Sequence, residues 1–260
     1  MLKGIAVGKP IREIILLSVI VMIGLTARLY EAGYNLDGDE VFSVQLASRP
    51  FPEVISRSLQ DRPHPPLHNV LLYLWIKVFG PSETSTRALS VVFSAGFLLV
   101  AYRLLCRFMS TGIALGVLCL LALSPLFVYY GQQVRAYSLI MFLFTLNVLA
   151  FTQVLDSPSD RRRLMFWAAS CALVLHAQYM AVLSIVFQIC FALVFLRRQR
   201  FKVLAYGAWG SLFIVPWFLA AMGQVVSNGA DPLTHISWME RPTPTDFVWF
   251  FVSIFGDAPK

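Results

Sequence analysis

The run Tyr137–Leu155, YSLIMFLFTLNVLAFTQVL, holds 19 residues without one Asp, Glu, Lys or Arg. A helix crossing a hydrocarbon core of about 30 Å needs about 20 mostly apolar residues, so this run reads as a membrane span. Working outward, the same reading applies to Ile14–Tyr30, Ala88–Leu105, Gly112–Tyr130 and Val203–Met222. Leu164–Leu196 is too long for one span and is interrupted by His176-Ala-Gln-Tyr179, which predicts two short helices meeting at a polar elbow. Pro66–Phe79, opened by Pro65-Pro66, is short. It either spans or forms a re-entrant or tilted interfacial helix, and the sequence leaves both open. The expected fold class is therefore all-α, a polytopic transmembrane helical bundle of about seven helices by the length rule.

Composition agrees. Hydrophobic residues make up 58% of the 260 and charged residues 13%, with mean hydropathy +0.69. Soluble domains carry about a quarter charged residues, so the soluble class is excluded. The net charge of +7 does not point to nucleic acid, because the basic residues sit between apolar runs rather than along one face. Cys106, Cys119, Cys171 and Cys190 lie within or at the end of apolar runs, without metal-ligand spacing, and read as small apolar residues.

Lys3, Lys9 and Arg12 precede the first run, which keeps the N-terminus cytoplasmic in a multi-pass protein of the inner or plasma membrane. A cleavable signal peptide is the alternative, weakened by the membrane segments that follow. Arg103 and Arg107, Arg161–Arg163, and Arg197, Arg198, Arg200 and Lys202 then fall on the same inner side, with 11 of the 14 acids outside.

The outer loop Glu31–Pro65 carries Glu31, Asp37, Asp39, Glu40, Glu53 and Asp61. Val41, Val44, Leu46 and Ala47, then Val54, Ile55 and Leu59, recur at roughly helical spacing, which predicts short amphipathic helices on the membrane surface. Asp39-Glu40 stands at the N-terminal end of the first, where the helix dipole favours a carboxylate. Such a carboxylate is what a general base needs to deprotonate an incoming hydroxyl; a solvated acidic loop is the plainer reading. Further polar residues stand at the outer ends of apolar runs: His64 and His68, Arg87, Gln132, Gln133, Arg135 and Tyr137, and His176 with Gln178 and Tyr179. Two arginines and a histidine facing carboxylates suit an anionic phosphate headgroup beside a base. Arg87 and Arg135 as interfacial anchors remain the alternative.

These residues fall in a familiar order. Asp39-Glu40, then His64-Pro-Pro-Leu67 running into Leu71–Gly80, then Arg87-Ala-Leu-Ser90, resembles the polyprenyl-phosphate-sugar glycosyltransferases of the GT-C fold, which include relatives of protein O-mannosyltransferases and aminoarabinose transferases. Leu123-Ser-Pro125, the stretch Tyr129–Leu139, His176 and Val215-Pro-Trp217 fit the same group. The resemblance implies inverting transfer of a sugar from a polyprenyl-phosphate donor to an acceptor hydroxyl on a glycan, lipid or protein. It implies that Asp39 is the catalytic carboxylate, that Glu40 assists, and that basic residues hold the leaving phosphate. His64, Arg87, Gln133, Arg135, Tyr137 and His176 are the candidate donor and substrate contacts. Gln133 stands where relatives often carry an acid. No cofactor is implied with certainty, and a divalent metal stays open.

Residues 1–222 are expected to form a GT-C-like transmembrane module, with 223–260 the start of an outer segment that ends early relative to the family. Two rival readings stand beside the enzyme. A transporter or lipid flippase would use the polar residues as a pathway, but the sequence lacks the internal repeat such proteins often show. An inactive scaffold-like subunit is the other.

Overall fold

In the computed structural model, which describes residues 11–30, 32–60 and 64–227 with the single positions 243 and 245, every regular element is helical. Among the described residues the order is α1 (Ile11–Leu29), α2 (Gly38–Ala47), α3 (Phe51–Gln60), α4 (Leu67–Phe79), α5 (Glu83–Phe108) and α6 (Thr111–Leu123), then α7 (Pro125–Gln132), α8 (Tyr137–Asp156), α9 (Arg161–Ala177), α10 (Ala181–Phe195), α11 (Arg200–Leu212) and α12 (Val215–Ser227). Lys3, Lys9, Glu31, Asp61 and all but the start of the segment from Gly223 lie outside the described residues.

The expected all-helical membrane bundle is observed, but its spans are more broken than the apolar runs suggest. Among the described residues α5 and α8 are long and apolar enough to cross a membrane alone. Two bent pairs add two more if each counts as one span: α6 with α7, bent by 59°, and α11 with α12, bent by 41°. The first bend sits at Ser124-Pro125, where proline has no N–H to continue the ladder and its ring clashes with the preceding turn. The elbow predicted around His176–Tyr179 is present, since α9 ends at Ala177 and α10 begins at Ala181. Pro66–Phe79 is the 13-residue α4, about 20 Å long at 1.5 Å per residue and too short to cross alone.

Three apolar clusters hold the helices. Leu143, Val154, Trp167, Val174 and Ile185 form the largest, joining α8, α9, α10 and α11. Phe97, Leu98, Leu118 and Ala122 seal α5 against α6, with Leu17 and Val21 of α1 over them. Val44, Ala47, Leu72 and Leu89 bind α2 and α4 to α5.

Where lipid tails are as apolar as leucine, helices associate through close packing and hydrogen bonds, and both are visible. A Cβ added at Gly210 would lie 2.2 Å from the Ala168 carbonyl oxygen, so only glycine lets α11 approach α9 this closely. Trp167 Nε1 donates to Gln188 Oε1 at 2.7 Å, Gln188 Nε2 donates to Asn147 Oδ1 at 2.8 Å, and Asn147 Nδ2 donates to Ser170 Oγ at 3.0 Å. That chain ties α8, α9 and α10 together through buried amides.

Arg28, fully buried at the end of α1, secures the α6–α7 bend. Its guanidinium donates to the carbonyls of Gly24 and Ala122 at 2.8 Å, to the Phe127 carbonyl at 3.2 Å and to Ser94 Oγ at 2.6 Å. A buried cation is tolerated only when its donors are occupied. Here they fill acceptors on both sides of the proline break, and α7 is held at the angle that carries Tyr129 and Tyr130 toward α2.

Candidate active site

The sequence Asn35-Leu-Asp-Gly-Asp-Glu40 folds as a capping box. Asp37 is the N-cap of α2: its Oδ1 accepts from the Glu40 amide at 2.9 Å, and Glu40 Oε2 accepts in return from the Asp37 amide at 3.2 Å. The reciprocal pair fills two amides that an α-helix start leaves without partners. The three acids are thereby given three different environments.

Glu40 is fully buried. Its Oε1 also accepts from Arg87 Nε at 3.2 Å and from the Val134 amide at 2.9 Å, and its Oε2 from Arg87 Nη2 at 2.5 Å. Arg87, on α5, is equally buried. Its remaining N–H groups reach the carbonyls of Ala32 at 3.0 Å, Tyr34 at 2.5 Å and Asn35 at 3.3 Å, and the Tyr34 ring lies 3.7 Å from the guanidinium carbon. A guanidinium has five N–H donors, and all five are used.

Among the described residues, Arg87 thus directs all five donors to protein acceptors, and both Glu40 oxygens accept from protein donors. The pair fastens the loop 32–35, the start of α2, α5 and the backbone at Val134 to one another. Bidentate geometry and a full set of hydrogen bonds are what a buried ion pair needs to offset its desolvation.

Asp39 differs from both neighbours. Its side chain is 73% exposed, with Oδ2 3.7 Å from Arg135 Nη2. Arg135 itself is mostly buried, and its Nη1 donates weakly to Ser43 Oγ at 3.4 Å. Ser43 in turn donates to the Asp39 carbonyl at 3.0 Å. The Asp39–Arg135 contact is thus loose, and among the described residues Arg135 has donors to spare.

Asp39 stands at the wall of an open cavity of about 440 Å³ lined with Asp37, Gly38, Tyr129, Tyr130, Gln133 and Tyr137. The three tyrosines meet edge to face, with centroids 5.1 and 4.7 Å apart. Ser90 Oγ fixes the turn by donating to the Gln133 carbonyl at 2.6 Å. Aromatic faces with phenol and amide groups beside a carboxylate make a surface able to stack on and hydrogen-bond a polyhydroxylated ring. A separate, smaller cavity behind Arg135 is lined by Ser43, His64, Pro65, His68, Asn69 and Ala136.

Of the sequence-predicted residues, Asp39, Gln133, Arg135 and Tyr137 therefore converge on one region, with His64 behind Arg135. His176 lines neither cavity; it sits in the last turn of α9 with its Nδ1 2.8 Å from the Ala172 carbonyl. Among the described residues no three His, Cys, Asp or Glu side chains come together to hold a metal ion.

Residues 63–223, more than half of the chain, match the family described as dolichyl-phosphate-mannose-protein mannosyltransferase. The chain belongs to that family. No match was found among curated proteins or among solved structures. As a member of the dolichyl-phosphate-mannose-protein mannosyltransferase family, with helices apolar enough to span a bilayer, it is a membrane glycosyltransferase of the GT-C type at family level. The matched span contains His64, Arg87, Gln133, Arg135, Tyr137 and His176, whereas Asp39 and Glu40 precede it.

Sequence reading missed Arg28 as the residue that sets the α7 angle in this family member, although a lone arginine inside an apolar run is itself a signal. It quoted Tyr129 and Tyr130 only within a motif. The acceptor for the Val134 amide, a carboxylate 94 positions away, has no local signal at all.

Proposed function

We propose that this chain transfers a sugar from a polyprenyl-phosphate donor to an acceptor hydroxyl at the outer membrane face, with inversion, and that Asp39 is the general base. The observation that carries the reading is the sorting of the three acids: Asp37 lines the tyrosine-walled cavity but holds the helix cap, Glu40 is buried against Arg87, and Asp39 lines the same cavity with its carboxylate beside the Arg135 cation.

The chemistry then runs as a single displacement. The Asp39 carboxylate takes the proton of the acceptor hydroxyl as its oxygen bonds to the anomeric carbon. The bond from that carbon to the phosphate oxygen breaks, and the polyprenyl phosphate leaves with the electron pair. Arg135 balances the charge on the leaving phosphate, with His64 beside it. Tyr129, Tyr130, Gln133 and Tyr137 hold the sugar. The test is transfer from a radiolabelled polyprenyl-phosphate sugar in membranes carrying Asp39→Asn, for which a large loss is expected.

Arg135→Gln is expected to weaken donor binding about tenfold or more, the value of one charge-assisted hydrogen bond. The measurement is donor affinity in detergent. Unchanged affinity would make Arg135 a partner of Asp39 alone and remove it from the phosphate site.

Placement of α2 and α3 outside follows from the basic clusters assigned to the opposite side. Ser56 is exposed on α3. A cysteine there, with Cys106, Cys119, Cys171 and Cys190 replaced, is expected to react with an impermeant thiol reagent in intact cells. Labelling only after permeabilisation would invert the topology.

A further inference from the structure

His68, in the first turn of α4, is 4% exposed. Among the described residues its Nε2 has no hydrogen-bond partner. Buried polar atoms are almost always partnered, and an orphan needs an explanation. Packing does not supply one, because the imidazole lines the cavity behind Arg135 rather than an apolar contact.

The lining of that cavity is rich in donors. Among the described residues Arg135 contributes a guanidinium engaged by the 3.4 Å bond to Ser43 and the 3.7 Å contact with Asp39. Asn69 Nδ2 donates to Ser58 Oγ at 3.0 Å and the Ser43 hydroxyl to the Asp39 carbonyl at 3.0 Å; the His68 ring meets the Asn69 side chain, and Nε2 is the nitrogen left over among the described residues. The N-cap of α4 is Pro66, which makes no side-chain cap. The first-turn amides, which lack intrahelical acceptors in any α-helix, add a positive end. The interior measures about 10 Å³, the room of one oxygen atom.

We propose that this cavity receives one non-bridging oxygen of a lipid-linked phosphate, with the His68 Nε2–H and Arg135 as its donors. The assignment rests on the polyprenyl-phosphate reading and adds to it a binding residue, His68, that lies behind Arg135 rather than beside Asp39. A neutral imidazole carries its proton on either nitrogen, so Nε2 donates once an anionic oxygen enters. The lipid tail stays with the apolar helices while the phosphate is gripped at the start of α4.

The test measures binding rather than turnover, on the full chain in detergent micelles. Its probes are decaprenyl phosphate, decaprenol and inorganic phosphate. Wild type is expected to bind decaprenyl phosphate well above decaprenol. His68→Phe is expected to lose about tenfold for decaprenyl phosphate and nothing for decaprenol. His68→Gln, which keeps an N–H of similar reach, is expected to retain most of the affinity. Should His68→Phe not fold, His68→Leu replaces it in the same comparison. Equal decaprenyl phosphate affinity in His68→Phe and wild type would overturn the role of His68 alone, as would equal losses for both lipids, the sign of a packing residue. A wild type that does not discriminate decaprenyl phosphate from decaprenol would overturn the donor reading itself. Inorganic phosphate held as tightly as the lipid would overturn the lipid-linked assignment.

Discussion

Asp39→Asn is expected to lower sugar transfer by about 100-fold or more, the range lost when a positioned general base is removed. The amide keeps the shape of the side chain and its first-turn position on α2 but cannot accept the proton of the acceptor hydroxyl. The loss should fall on kcat, with donor affinity little changed, since Arg135 and the tyrosines remain. Asp37→Asn is the matched control: asparagine caps a helix as well as aspartate does, so transfer should stay near normal. The structure also assigns Glu40→Gln a different failure from Asp39→Asn, because Glu40 is fully buried and meets Arg87 and two backbone amides. The measurement is transfer in membranes at matched expression. Near-normal turnover by Asp39→Asn would remove the base from the mechanism and favour the transporter or scaffold readings.

The second large effect is on stability. Arg87→Met strands the Glu40 carboxylate in a fully buried position, and breaking a buried pair from one side costs about 3–5 kcal/mol. The variant should unfold at a clearly lower temperature in detergent and accumulate poorly in membranes. Glu40→Gln should be milder, because the glutamine carbonyl oxygen still accepts from the Val134 amide and Arg87 keeps three backbone carbonyls as acceptors. The double variant Glu40→Gln with Arg87→Met should recover part of the loss, since no uncompensated charge remains. Binding of a polyprenyl phosphate by the folded fraction should be unchanged in all three. If Arg87→Met instead weakened that binding at unchanged stability, the guanidinium would have to leave its five acceptors for a phosphate, and the structural assignment would fail.

Much of this protein was legible in its sequence because the signals are local. The uncharged length of Tyr137–Leu155 and the polar break near His176 each act within a few helical turns. Local periodicity or backbone chemistry therefore reports them directly. The capping box at Asp37–Glu40 is local too, and it places Asp39 in the first turn of α2 whatever the rest of the chain does. The number of continuous spans was less legible, since hydropathy adds apolar residues without registering that a bend divides them.

What each charged side chain meets was decided only by the tertiary structure. Arg87 and Arg135 are alike in sequence, each an arginine near the end of an apolar run. One faces a carboxylate 47 positions away with every donor filled, and the other faces an exposed carboxylate at 3.7 Å with, among the described residues, donors unspent. Asp39 and Glu40 are adjacent, yet the step of about 100° between successive helix positions sends the first to solvent and the second into the seam between α2, α5 and the backbone at Val134. Sequence determined that a membrane-embedded helical protein would present carboxylates and cations near one another, because composition and spacing fix that. Only the packing of distant helices could decide which carboxylate is consumed by the fold and which is left for chemistry, because burial and partnering depend on contacts that no local pattern encodes.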